Sequence, residues 1–252
     1  MASYLITGTS RGIGLKITSI LASKPASEVS VVFAASRTES DALKKLIANS
    51  SGRVKFINIE VTNEESVKKA ASEVKQVVGE KGLDVLLNNA GVMPYSPDGI
   101  ETMTDLDSTF NTNVTSVHFV TSAFLPLLKK GNLKKVANIS TTLGSIAMSQ
   151  RYALFPVPAY KVSKAALNML TVQYAQSFAE QGFTFLTISP GWVKTDLGGD
   201  SADLTVKQSA TGVLDIIIPA TTTENGKFYN VRVPGWEKAE GLNQYDGAQA
   251  PW

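Results

Sequence analysis

The chain has 252 residues, 43% hydrophobic and 18% charged, and its 19 glycines and 10 prolines give no sign of a disordered or collagen-like composition. That length can bury one large core, so a single domain over 1–252 is expected. A net charge of +2 without a basic cluster argues against a nucleic-acid partner, absent cysteine excludes disulfides and thiolate metal sites, and the single histidine, His118, leaves no ligand set for zinc.

From the N-terminus, "MASYLITGTS" runs straight into a strand without the charged and apolar regions of a secretory signal. No later stretch reaches the ~20 apolar residues of a membrane helix, so a cytoplasmic protein with no membrane partner is expected. Short β-branched runs at 3–7, 29–35, 54–59, 83–87, 135–139 and 183–189 alternate with helical patterns at 12–23, 39–49, 63–80, 103–130 and 160–181. Strands joined by helix-length crossovers form right-handed βαβ units, which predicts an α/β, doubly wound parallel sheet with helices on both faces. Irregular stretches fall at 92–102, 145–158, 191–210 and 232–252. The first three follow strand ends, where ligands of open α/β sheets bind, and are candidate pocket loops.

Directly after the first strand comes Thr7-Gly8-Thr9-Ser10-Arg11-Gly12-Ile13-Gly14. Glycines between a strand and a helix allow a tight turn and close approach of backbone N–H groups to a pyrophosphate at the helix N-terminus. The second strand ends in Ala34-Ala35-Ser36-Arg37. An NAD site offers an acidic residue here for the ribose 2′-OH; Arg37, with Arg11 in the turn, suits a 2′-phosphate instead and predicts NADP(H), although either arginine alone reads equally as a surface charge.

In "PAYKVSKAALNML", Tyr160 and Lys164 lie four apart at the start of a helix and share a face. A phenol with an ordinary pKa near 10 is a poor acid or base at neutral pH, and a nearby ammonium lowers that pKa by favouring the phenolate.

Together these segments resemble the single-domain form of the short-chain dehydrogenase/reductase family. The motifs that carry the resemblance are Thr7-Gly8-x-x-x-Gly12-x-Gly14, Asn88-Asn89-Ala90-Gly91, Asn113 in "NTNVTS", Tyr160-x-x-x-Lys164, and Pro190-Gly191 followed by Val193 and Thr195. "ENGKFYNV" at 224–231 looks like the family's last strand, and "ISTTLGSI", "PGWVKTDLGG" and "YDGAQAPW" look closest to its sniffer and C-factor carbonyl-reductase branch and to similar fungal ketoreductases. The resemblance implies a seven-stranded Rossmann-type sheet and hydride transfer between NADP(H) and a carbonyl or alcohol carbon. It implies Tyr160 as proton donor, Lys164 lowering its pKa and holding the nicotinamide ribose, and Asn113 positioning a water. It also implies Asn89 and Ala90 along the cofactor, Val193 and Thr195 at the carboxamide, and a homodimer or homotetramer through the helices at 103–130 and 160–181. One departure is Glu60-Val61 after the third strand, where the family has Asp-Val with the Asp at the adenine.

The second departure is in Ala137-Asn138-Ile139-Ser140-Thr141-Thr142-Leu143-Gly144, where the family places a serine that hydrogen-bonds the substrate oxygen. Register with Gly144 selects Thr141, whereas residue type selects Ser140, and neighbours on a strand face opposite ways. The stretch 145–158 is longer than the family's; it carries Met148, Tyr152, Leu154, Phe155, Pro156 and Pro158. With Met93, Tyr95 and Trp192, these residues either pack their own loops or line a pocket for a bulky apolar or aromatic carbonyl substrate. Two other readings are a non-catalytic NADP(H)-binding regulator, and an isomerase or dehydratase without net redox change.

Overall fold

The sheet positions everything else in the molecule, whose computed structural model describes residues 1–252. Its strands are β1 (Ala2–Thr7), β2 (Val29–Ser36), β3 (Val54–Asn58), β4 (Val85–Asn88), β5 (Lys135–Ile139), β6 (Thr184–Ser189) and β7 (Lys227–Asn230). They form one sheet in the order β3-β2-β1-β4-β5-β6-β7, with every pairing parallel. The order reverses between β1 and β4, and such a reversal opens a crevice at the carboxyl ends of the strands.

Alternation along each strand feeds two cores. Tyr4 and Ile6 of β1, Val32 and Ala34 of β2 and Leu186 and Ile188 of β6 face one side, against α1 (Gly12–Ser23), α2 (Asp41–Ala48) and α7 (Val206–Ile217). Leu5, Phe33 and Phe185 face the other, against α3 (Glu64–Val78), α5 (Ser116–Lys130) and α6 (Pro158–Ser177). Both faces are covered, which is why these strands read as apolar runs rather than as polar and apolar alternation.

The helical pattern at 103–130 resolves into α4 (Leu106–Phe110), a π-helical turn at Asn111–Thr115, and α5. The helix expected at 160–181 begins earlier, with Pro158 in its first turn, where its missing N–H costs nothing, and ends at Ser177. Helix α7 begins inside the stretch read as irregular at 191–210; the missed signal is its capping box, Thr205 with Gln208. No helix is long and apolar enough to cross a membrane.

Candidate active site

At the carboxyl ends of the strands lies a cavity of about 700 Å³. Its walls come from the glycine turn, the ends of β2 to β6, and the loops around residues 92, 155 and 195. Of the residues singled out in the sequence, Gly8, Ser10, Arg11, Gly12, Ile13, Ser36, Arg37, Glu60, Val61, Asn89, Ala90, Gly91, Ser140, Thr141, Tyr160, Lys164, Pro190, Gly191, Val193 and Thr195 line it. Gly14 and Asn113 lie behind the wall.

The glycine turn is held by backbone geometry. Gly8 has a φ of 72°, a conformation that costs glycine least, and a Cβ on Gly14 would run into the carbonyl oxygen of Gly8 and the amide of Asn89. The Nδ2 of Asn89 donates to the carbonyls of Thr7 at 2.9 Å and Gly8 at 3.2 Å, while Thr7 Oγ1 accepts from the backbone N–H groups of Asn89 and Ala90. Asn89 is therefore a clamp on the turn as well as part of the wall. Helix α1 starts with no side-chain cap and no acidic residue in its first turn. Its first N–H groups are thus free of side-chain partners at the cavity, an arrangement that suits a phosphate.

Both arginines sit at the surface of this end. Arg37 is 76% exposed with Nε 3.7 Å from Glu60, whose carboxylate also accepts from Thr62 Oγ1 at 2.9 Å. Arg11 is 74% exposed and 3.0 Å from Asp196, across the groove on the loop after β6. The end of β2 itself holds no acid, but each arginine has a carboxylate partner from another segment, which the sequence pattern did not reveal. Exposed pairs of this kind are worth only about 0–1 kcal/mol, so a phosphate dianion can take either arginine from its partner.

Tyr160 and Lys164 form the floor. Both are buried, and Lys164 Nζ donates to the carbonyl of Ile139 at 2.7 Å and lies 5.6 Å from the centroid of the Tyr160 ring. Burial disfavours the charged form of each group: it pushes the Tyr160 phenol upward and the Lys164 ammonium down to about 7. The lowering of the phenol pKa expected from Lys164 is therefore not what this arrangement gives: burial shifts Tyr160 the other way. Gly144 explains how β5 meets α6, because a Cβ there would lie 2.7 Å from Lys164 Cβ and 2.8 Å from its carbonyl carbon.

The three hydroxyls after β5 have different partners. Ile139 packs in the core on the α7 side, so strand alternation turns Ser140 toward α6, where its Oγ donates to Asn168 Oδ1 at 2.6 Å. Thr141 is half-buried; its Oγ1 accepts from the N–H of Leu143 at 3.2 Å, and its own proton has no protein acceptor. Thr142 Oγ1 donates to the hydroxyl of Tyr152 at 3.1 Å.

Asn113, in the π-helical turn, is fully buried. Its Nδ2 donates to Val92 O and Ser163 Oγ, both at 2.9 Å, and its Oδ1 accepts from Val92 N–H at 2.9 Å. The side chain therefore pins the chain just past Gly91. Met93, Tyr95, Tyr152, Phe155 and Trp192 line the cavity, with Phe155 and Trp192 meeting edge to face at 6.0 Å. Met148, Pro156 and Pro158 do not line it, and Leu154 is 96% exposed. The sequence reading missed Thr38, Thr142, Asn243 and Tyr245 as wall residues. Thr142 and Tyr245 carried a signal, as members of "ISTTLGSI" and "YDGAQAPW", whereas Thr38 and Asn243 carried none. His118 is exposed and bonds Tyr174 Oη at 2.8 Å, far from this chemistry in the chain and absent from the cavity wall.

The profile of the short chain dehydrogenase family matches residues 3–204. This chain belongs to that family. Within this oxidoreductase family, the short-chain dehydrogenase srdF of Neurospora crassa is 33% identical over 98% of this chain and 96% of its own length. C-signal of Myxococcus xanthus is 34% identical over 68% of this chain and 93% of its own. Among solved structures, the NADPH-bound carbonyl reductase from chicken fatty liver superposes with a TM-score of 0.86 at 31% identity, covering 100% of this chain and 99% of that one. Carbonyl reductase Sniffer of D. melanogaster gives a TM-score of 0.86 at 32% identity, covering all of both chains.

Proposed function

We infer that this short-chain dehydrogenase is an NADPH-dependent carbonyl reductase that converts a ketone or aldehyde to its alcohol, one domain with its substrate loops at 92–102, 145–158 and 191–210. The observation that carries this reading is the buried Tyr160 and Lys164 pair flooring the same cavity that the glycine turn and the uncapped start of α1 open into. The likeness to an NADPH-bound carbonyl reductase supports it.

The residues present fit a dinucleotide phosphate. The Gly8 to Gly14 turn leaves room that side chains would fill, the start of α1 would receive the pyrophosphate, and Arg37 with Arg11 would take the 2′-phosphate. Asn89, Ala90 and Gly91 would lie along the cofactor, Glu60 and Val61 would flank the adenine, and Val193 and Thr195 would hold the carboxamide. When bound, NADPH supplies the hydride.

Tyr160 then donates its proton to the carbonyl oxygen as negative charge develops there; burial raises the phenol's pKa and so opposes that donation, which a positive charge beside the ring has to offset. Lys164, held by the Ile139 carbonyl, sets its charge near Tyr160 and stabilises the phenolate left behind. Thr141 donates its free proton to the same substrate oxygen; Ser140, already bonded to Asn168, supports the strand exit instead. Asn113 keeps the chain after Gly91 in place beside Lys164. The aromatic wall formed by Tyr152, Phe155 and Trp192 favours a bulky apolar or aromatic body on the substrate.

The test is NADPH oxidation with a panel of aryl ketones and aldehydes, with the product alcohol quantified. One alcohol formed per NADPH consumed is expected. NADPH binding without turnover would favour a regulator, and product formed without net NADPH consumption would favour an isomerase or dehydratase.

A further inference from the structure

The C-terminal segment closes one side of the cavity with a relay of polar groups set into an otherwise aromatic wall. Thr142 Oγ1 donates to Tyr152 Oη at 3.1 Å, Tyr152 Oη donates to Asn243 Oδ1 at 3.3 Å, and Asn243 Nδ2 donates to Asp203 Oδ2 at 2.8 Å. The same Asp203 oxygen accepts from Tyr245 Oη, which in turn accepts from the N–H of Trp192 at 3.2 Å. The relay joins segments from four parts of the chain, and all of its members except Asp203 line the cavity.

This relay is not what holds the segment down. Backbone bonds do that: Val233 N–H to Tyr245 O at 2.9 Å, Tyr245 N–H to Trp236 O at 3.1 Å, Asn230 N–H to Ala248 O at 3.0 Å, and Ala250 N–H to Phe228 O at 2.8 Å. Asn243 instead ties the Tyr152 loop to Asp203 across the wall, a link that uses only half of what an amide offers. A primary amide carries two N–H donors and an oxygen with two lone pairs. The protein engages one donor and one lone pair of Asn243, both through partners that fix its orientation, and leaves the other donor open.

We propose that Asn243 is a second polar anchor for the substrate. Its free N–H donates to an oxygen that the substrate carries beyond the reacting carbonyl, while Phe155 and Trp192 hold an aromatic body between the two anchors. Asp203 is a positioning residue that aims the amide. The preferred substrate class is thus an aromatic carbonyl compound bearing a second oxygen, such as a phenol. A site built to hydrogen-bond one group discriminates against analogues lacking it, because its polar atoms are then left buried and unpaired. The proposal rests on the carbonyl-reductase reading for the reacting end of the substrate only.

The experiment compares benzylacetone with its ortho, meta and para ring-hydroxylated analogues. For wild type, Asn243→Ala and Asp203→Ala it records kcat/KM with NADPH, and separately the dissociation constant of each compound by quenching of tryptophan fluorescence, to which Trp192 in the wall contributes. Wild type is expected to favour at least one hydroxylated analogue about tenfold in both measures. Asn243→Ala is expected to erase that preference, bringing the hydroxylated analogue down to the level of benzylacetone in the same variant, while NADPH affinity stays within twofold, and Asp203→Ala to reduce it with Asn243 still present. A preference that survives Asn243→Ala, equal losses for all four compounds, or no preference in wild type overturns the proposal. A binding preference that depends on Asn243 without any NADPH oxidation would instead overturn the reductase reading and leave the anchor standing.

Discussion

The two ends of the cavity are built by different means. At the glycine-turn end, one short segment, Thr7 to Gly14, and the residues after β4 meet through bonds between a side chain and the backbone, Asn89 Nδ2 to two carbonyls and Thr7 Oγ1 from two N–H groups, and side-chain absence does the rest of the shaping: Gly14 has no room for a Cβ. At the other, aromatic end, hydroxyl, amide and carboxylate side chains from residues 142, 152, 203, 243 and 245 meet each other across segments as much as 91 residues apart in the chain. A wall set by backbone geometry accepts one ligand shape and is rigid. A wall set by side chains on loops changes its chemistry with single substitutions, so the fold can keep one cofactor and serve many substrates.

Substitutions at each end sharpen this contrast. The largest effect is expected from Gly14→Ala, whose Cβ meets the backbone oxygen of Gly8. Such overpacking costs about 3 kcal/mol, and NADPH titration should show affinity at least tenfold weaker, with the residual kcat little changed; unaltered NADPH affinity would break the idea of a backbone-shaped end. Next, Arg37→Asp removes a charge-assisted contact worth about 1.5–3 kcal/mol and should lower the ratio of kcat/KM for NADPH over NADH by about 10- to 100-fold. Steady-state kinetics with both cofactors check this, and an unchanged ratio would mean that Arg37 serves only Glu60.

The smallest effects separate the two hydroxyls after β5. Thr141→Val should cut kcat/KM about tenfold, the value of one hydrogen bond of about 1 kcal/mol or slightly more, with thermal stability nearly unchanged. Ser140→Ala should do the opposite, because it leaves Asn168 Oδ1 buried without its donor. Its Tm should fall while kcat/KM stays close to wild type. Paired melting curves and kinetics check both, and the reverse pattern would return the substrate contact to Ser140.

How much of this was legible in the sequence follows from the same contrast. The glycine turn, the Tyr160 and Lys164 pair and the alternation of strands and helices are local patterns, and periodicity and spacing exposed them before any contact was known. Six strands of the sheet were equally legible; β7 came only through the family likeness of "ENGKFYNV", and α7 lay partly inside a stretch that reads as irregular. Thr141 against Ser140 could not be decided, because the answer depends on Asn168, which lies 28 residues beyond Ser140. The ion pairs Arg37 with Glu60 and Arg11 with Asp196 were hidden for the same reason. Asn243 and Asp203 gave no local signal at all; a lone Asn and a lone Asp in irregular stretches look like loop residues until the fold folds them over the cavity. Asn113 shows the intermediate case: its position was visible, but its bonds to both backbone groups of Val92 were not.

The most direct test is a single turnover of the preformed complex with NADPH, mixed with a reducible aryl ketone and followed by loss of NADPH absorbance, in wild type and in Tyr160→Phe. The buried phenol is the proton donor in this account, so the variant should bind NADPH with unchanged affinity and oxidise it about 10²- to 10⁴-fold more slowly, the range that a positioned general acid contributes. Oxidation by Tyr160→Phe at the wild-type rate would contradict it.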